Sequence, residues 1–362
     1  MSAGPLHRVR AAPALAAALL AVLAAVGVRM APGDAVERGQ TARPAPAGAA
    51  QGAAARSAPA KASASTPAQA PVAAAASAAS SVTAAVPPEP PPPSACDVLL
   101  HRLPTVSRAQ CESAALAPSG AQSVKGVPLY WRDVPAAAAA GHGAARAQGP
   151  QGTERPLRVL VAGAIHGDEI TSASLAVRWI ALAEQARRPV HWRFIPVLNP
   201  DGLLARPATR TNARGVDLNR NFPTPGWAQD APHYWEKRTR RDPRRWPGTA
   251  PLSEPESGFL HAQMAAFQPQ LIVSIHAPYG VLDFDGPQSP PERLGRLWLD
   301  QVGIFPGSLG HYAGVHRGIP VVTIELPHAL DMPRAAEIQS MWEDLLRWMG
   351  EHWPQVDAAA RP

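Results

Sequence analysis

Cysteine is nearly absent: the 362 residues hold two, Cys96 and Cys111, with fourteen residues between them. No second Cys or His cluster accompanies them, which argues against a cysteine-based metal knot. In an oxidising compartment such a pair reads as one structural disulfide, worth about 3 kcal/mol for a loop of that size. Other absences narrow the chemistry. The chain has no HExxH, so it is not a zincin, and no nucleophile elbow, so it is not an α/β-hydrolase. It has no Gly-rich phosphate-binding loop and no internal repeat, which excludes a P-loop enzyme and a solenoid.

The excess of positive charge is misplaced for a nucleic-acid binder. Residues 1–93 carry seven Lys/Arg and three Asp/Glu, a net +4, whereas the remainder carries 27 and 25, a net +2. Basicity thus belongs to the N-terminal tail, and no nucleic-acid partner is expected. That tail opens with His7, Arg8 and Arg10 before an apolar stretch, Ala11–Val28. The pattern is an export signal, residues 1–30, and its length fits either a signal peptide ending near Ala25-Val26-Gly27 or a membrane anchor. No cysteine stands just after that stretch, which argues against a lipoprotein anchor. The expected location is the periplasm, with membrane contact only through this N-terminus. Residues 31–95 are mostly Ala, Pro, Ser and Gln, ending in a proline run, and read as a flexible, partly polyproline tether. A short Cys-containing lead-in, 96–118, follows.

From about residue 119 to 354 strand-like and helix-like segments alternate, as in an α/β domain. Leu157–Ile165, Val190–Leu198, Leu271–Ala277 and Val321–Leu326 read as strands. Ile170–Ala186 has helical spacing, and Ser253–Phe267 opens with a helix-start pattern. Ile338, Met341, Trp342, Leu345, Leu346 and Met349 recur at helical period and form a core-facing stripe.

The chemistry gathers at strand ends. "VLVAGAIHGDEI" is an apolar run that ends abruptly in His166, Gly167, Asp168 and Glu169. His166 and Glu169, three apart on a loop leaving a sheet, can bring an imidazole and a carboxylate to one point. A catalytic zinc site uses three N/O ligands and one open position. The third ligand fits His276, because "LIVSIHAP" again ends a strand in histidine; His142, His261, His311 and His316 lie in loop or helix contexts. In "VVTIELP" Glu325 is the one carboxylate of a buried-strand pattern. A buried charge needs a reason, either a structural arginine or service as a catalytic base. The long polar stretch Asn199–Pro223 is rich in Asn and Arg, suited to gripping a carboxylate or an oxyanion, or equally to Asx-turned surface loop. The loop Tyr234–Gly248 is basic with interleaved tryptophans, a lip for an anionic peptide or an ordinary solvated loop.

HGDE, NPDG, TRTNARGVDLNRNF, SEPE, SIHAP and TIELP occur in the order that they take in zinc metallocarboxypeptidases. The likeness spans about residues 119–350 and most resembles the bacterial murein peptide amidase A branch, which cuts γ-D-glutamyl–diaminopimelate bonds of peptidoglycan peptides. "NFPTPGW" and "RDPRRWPG" also resemble that branch, and "SVKGVPLYW", Ser123–Trp131, resembles its first strand.

The resemblance implies a mixed, mostly parallel twisted sheet of about eight strands with helices on both faces and one zinc ion at strand ends. It makes His166, Glu169 and His276 the zinc ligands, the His₂Glu set of carboxypeptidase A. Arg210 then polarises the scissile carbonyl, Asn219 and Arg220 clamp the substrate's terminal carboxylate, and Glu325 serves as general base. In place of the digestive enzymes' specificity pocket, Asp283 and Asp285 stand ready for the distal amino group of diaminopimelate. Tyr312 is the nearest counterpart of those enzymes' mobile tyrosine, though closer to Glu325 than that pattern expects. The implied activity is an exported, monomeric zinc peptidase acting beside a C-terminal residue. Two rivals remain: a zinc deacylase of the aspartoacylase or succinylglutamate desuccinylase kind, and a non-catalytic wall-binding protein.

Overall fold

A computed structural model describes residues 93–137 and 155–356. The expected export segment and almost all of the tether lie outside the described residues. Among those described, no helix is long and apolar enough to cross a membrane.

In chain order the elements begin with α1 (Ala95–Leu99), α2 (Arg108–Ser113), β1 (Ala117–Gln122) and β2 (Pro128–Val134). Then come β3 (Leu157–Ala162), α3 (Ile170–Ala186), β4 (Val190–Ile195), α4 (Pro200–Leu204), α5 (Trp227–Lys237) and α6 (Pro255–Phe267). The remainder is β5 (Leu271–His276), β6 (Val281–Asp285), β7 (Arg293–Leu294), β8 (Leu297–Trp298), a π-helical turn at Gly310–His316, β9 (Val321–Glu325) and α7 (Ala335–His352). The main sheet has seven strands in the order β1-β2-β4-β3-β5-β9-β6. β4, β3, β5 and β9 form a parallel centre, flanked by antiparallel β2 with β1 on one side and antiparallel β6 on the other.

The count is one short of the expected eight. Beyond β6 a single parallel bridge, Leu282 to Leu299, stands where another strand would pair. Pro287, Pro290 and Pro291 stand between β6 and β7, and proline has no N–H for a ladder. "SVKGVPLYW" is not one strand either. Ser123 and Val127 close the β1–β2 turn, Ser123 N–H donating to Val127 O at 2.8 Å, and only from Pro128 does the chain become strand.

Strand periodicity sends alternate residues to two cores. Val159, Val161, Val273, Ile275, Val322 and Ile324 pack with α3 and α7, where Trp179 meets Trp342 edge-on at 5.3 Å. Leu160, Ala162, Ile272 and Val321 pack with α6 and the π-helical turn. The segment 96–118 belongs to the first of these cores through Cys96, Leu99, Leu103, Val106, Cys111 and Ala114. Cys96 and Cys111 are joined there, with Cα atoms 5.8 Å apart.

β3 pairs with the next strand in sequence, β4, on one side and with the distant β5 on the other. The crossover connections therefore part between β3 and β5. In open α/β sheets that switch point, at the carboxyl ends of the strands, forms a crevice for ligands. His166 follows β3 and His276 ends β5.

Candidate active site

The turn after β3 is shaped by a backbone contact. A Cβ at Gly167 would sit 2.2 Å from the Gly202 carbonyl carbon and from Leu203 N. Only glycine lets the HGDE turn press on the NPDG turn, and that contact fixes where His166 and Glu169 point. Asn199 caps α4, accepting from Gly202 N–H at 2.9 Å, and its Nδ2 donates to Arg210 O at 3.0 Å. Asp201 holds the β1–β2 turn through Ser123 Oγ at 2.7 Å and Lys125 N at 3.0 Å. Asn212 Nδ2 donates to Glu254 at 2.7 Å and Glu256 at 3.1 Å, and Asn221 ties the loop to Pro247, Ala250 and Ser253. The two readings of the Asn/Arg stretch thus divide by residue: Asn199, Asn212 and Asn221 build the loop, while its buried arginines turn to the site.

His166, Glu169 and His276 meet. All three are buried, and one donor atom from each lies within 4.8 Å of the others. The two Nδ1 atoms are 3.2 Å apart, with Glu169 oxygens 2.7 Å from one and 3.0 Å from the other. Donors bound about 2.0–2.1 Å from a tetrahedral zinc ion lie about 3.3 Å from each other, so this N,N,O set fits zinc. The outer nitrogens are also provided for. Asp217 Oδ1 stands 3.1 Å from His166 Nε2, and Ser274 Oγ 2.9 Å from His276 Nε2. Such outer partners fix the tautomer that turns Nδ1 toward a metal. Burial works against charge on Glu169, yet the two imidazoles hold its carboxyl well below the usual range.

Asp217 is the hub that the sequence pattern did not single out. Fully buried, it meets His166, accepts from Arg210 Nε at 3.0 Å and takes Asn219 N–H at 3.0 Å. Burial opposes its ionisation, but Arg210 and His166 outweigh that and hold it well below the ordinary carboxylate range. Arg210 Nη1 also stands 3.6 Å from Glu169 Oε1. Burial disfavours the Arg210 charge, and Asp217 and Glu169 more than restore it. The available signal was chemical: a metal-binding histidine needs an outer acceptor, and DLNRN carries a carboxylate.

Glu325 pairs in register with His276 across β5 and β9, on the same face of the sheet. It is 7% exposed, and its Oε2 is buried with no hydrogen-bond partner. Burial and the nearby Glu169 carboxylate push its pKa well above the usual range. Arg220 is equally buried, has an unpartnered Nε, and lies over the Phe305 ring at 4.4 Å. Burial lowers its pKa to about 10. Asn219 accepts from Leu309 N–H at 2.8 Å through Oδ1, which leaves its NH₂ to donate.

Asp283 shares the face of Glu325, two residues along β6 from the partner of Glu325, and is 7% exposed. Burial raises its pKa to about 6, and that of Asp285 to about 7 with help from Asp283. Asp285 sits further from the ligands, opposite Val321, wedged where a Cβ on Gly310 or Gly314 would strike it at 1.9 or 2.5 Å. Tyr312 is held in the second core, its ring buried, stacked on Phe222 at 6.1 Å and beside His261 at 5.4 Å.

Comparison with known proteins agrees with this geometry. A family model described as zinc carboxypeptidase matches residues 118–284, a stretch that holds every residue of the metal cluster. Murein peptide amidase A of Escherichia coli K12 is 30% identical over 257 residues, covering 67% of this chain and 96% of that protein. The chain belongs to the zinc carboxypeptidase family. It is therefore a hydrolase, with that family's α/β fold. The Vibrio campbellii murein peptide amidase A is 32% identical over 185 residues, 49% of this chain and 73% of the relative. Among solved structures, the murein-tripeptide amidase of Escherichia coli O157 aligns at 27% identity and a TM-score of 0.43, covering 68% of this chain and 95% of that one. The family match ends at residue 284, so Glu325 is placed by the sheet register alone.

Proposed function

We propose that this zinc carboxypeptidase family member is an exported, periplasmic peptidase that removes a C-terminal residue from peptidoglycan stem peptides, cutting the γ-D-glutamyl–diaminopimelate amide. The observation that carries the reading is a pair of buried polar atoms without a hydrogen-bond partner, Oε2 of Glu325 and Nε of Arg220, beside one buried N,N,O cluster. The first suits proton transfer and the second a substrate carboxylate.

His166, Glu169 and His276 would hold the zinc ion. Zinc at such a site supplies Lewis-acid polarisation of a carbonyl and activation of water at neutral pH. Arg220 and Asn219 fix the terminal carboxylate, which sets the scissile amide in register. Arg210, anchored by Asp217, presents its guanidinium where oxyanion charge develops. Glu325 takes the proton from the attacking water and returns it to the leaving amine. Asp283, ionised, receives the ammonium on the distal centre of diaminopimelate.

The test is mass spectrometry of two incubations, one with L-Ala-γ-D-Glu-diaminopimelate and one with N-acetyl-aspartate. Release of diaminopimelate from the first alone supports the reading. Hydrolysis of the second alone would assign the protein to the zinc deacylases, and hydrolysis of neither would favour a wall-binding role.

A further inference from the structure

One cleft is not absorbed by the groups that grip the leaving residue. It encloses about 610 Å³ and is lined by Asp168, Thr209, Arg210, Trp235, Arg244 and Trp246, among others. Arg220, Asn219, Asp283 and Glu325 do not line it. It begins at Arg210 and at Asp168, which lies inside the HGDE turn, and runs toward the basic loop. The carboxylate clamp and the cleft thus share no lining residue. Because Arg210 lines it, the cleft opens at the catalytic groups and leaves room for the acyl portion of a peptide held by its C-terminus at Arg220.

Besides Arg210, the cleft is lined by Arg244 from the basic loop. Arg244 Nη2 donates to Asp168 Oδ2 at 2.8 Å, and Arg244 N–H donates to Asp242 Oδ1 at 2.9 Å. Trp235 Nε1 secures the same turn through Asp242 O at 2.7 Å. Trp246 O accepts from Asp217 N–H at 2.8 Å, joining the loop to the metal hub. Asp168 uses one of the five guanidinium N–H donors, and a bidentate grip on a second carboxylate needs two more.

The substrate proposed above supplies that carboxylate. A γ-linked glutamate keeps its α-carboxylate free, on the acyl side, beside the scissile amide. We infer that Arg244 is a specificity residue that reads this α-carboxylate between the walls of Trp235 and Trp246. The inference rests on the peptidase reading, and it adds a preference for acid over amide at that position.

The experiment compares the tripeptide with its α-carboxamide, the D-isoglutamine form, in kcat/KM for the wild type, Arg244→Gln and Arg244→Lys. Hydrogen bonds to a charged group, partly exposed here, are worth about tenfold in discrimination. The wild type is expected to favour the acid by about that factor. Arg244→Gln should lose the preference by slowing only the acid substrate, and Arg244→Lys should keep part of it. A wild type indifferent to the two substrates, or a glutamine variant slowed equally on both, overturns the inference and leaves the peptidase reading standing. A wild type that cuts neither overturns both.

Discussion

Asp283 offers a prediction with opposite consequences for stability and activity. Its carboxyl is buried without a cation, and its pKa stands at about 6 against 3.8 for the ordinary group. A difference of about two units corresponds to roughly 3 kcal/mol. The folded-state pKa is raised, so between pH 4 and 6 the unfolded chain binds fewer protons than the folded one, and stability falls as pH rises through that window. Above pH 6 the full cost remains. Asp283→Asn keeps Oδ1, and with it the 2.9 Å bond from Phe284 N–H. The variant should match the wild type near pH 4 and exceed it by up to about 3 kcal/mol at pH 7–8. That is about 6–12 °C in Tm for a domain of this size. Thermal unfolding of both proteins from pH 4 to 8 reads the difference, which includes the relief of Asp285 and Glu325, whose pKa values the Asp283 charge helps to raise. The variant should also lose kcat/KM on diaminopimelate peptides while retaining it on peptides without the distal amine. A stability gain independent of pH, or a loss at pH 8, would refute the reasoning.

Other substitutions address positioning. Gly167→Ala drives a methyl into the Gly202–Leu203 backbone, so it should cost several kcal/mol and abolish metal retention, read by thermal unfolding and elemental analysis. Asp217→Asn leaves His166 and Arg210 in place but weakens their anchor. Zinc affinity should drop about 10- to 100-fold, measured by competition with a chelator, and an unchanged affinity would remove Asp217 from the metal's supporting shell.

The parts legible in the sequence are those where a local pattern is broken by one residue. β3, β5 and β9 are apolar runs, so His166, His276 and Glu325 at or just past their ends stood out, and the structure brings all three to one crevice. The helical stripe of α7 was equally plain, and it packs into the core as its period required. Three things were not legible. β1, APSGAQ, has almost no buried side chain and therefore no alternation to read. Asp217 lies in a motif where arginines and asparagines draw attention, and its role depends on His166 fifty-one residues away. Tyr312 looked available because it precedes the Glu325 strand, but Phe222 and His261 claim its ring. Long-range pairing decided each of these.

In the proposed mechanism one buried cluster holds zinc while a separate carboxylate moves the proton. Glu325→Gln, assayed for zinc content and turnover in the same preparation, tests it most directly. One zinc ion per chain is expected in both proteins, with kcat lowered about 100- to 10,000-fold in the variant. Near-normal turnover in Glu325→Gln, with zinc still bound, would contradict it.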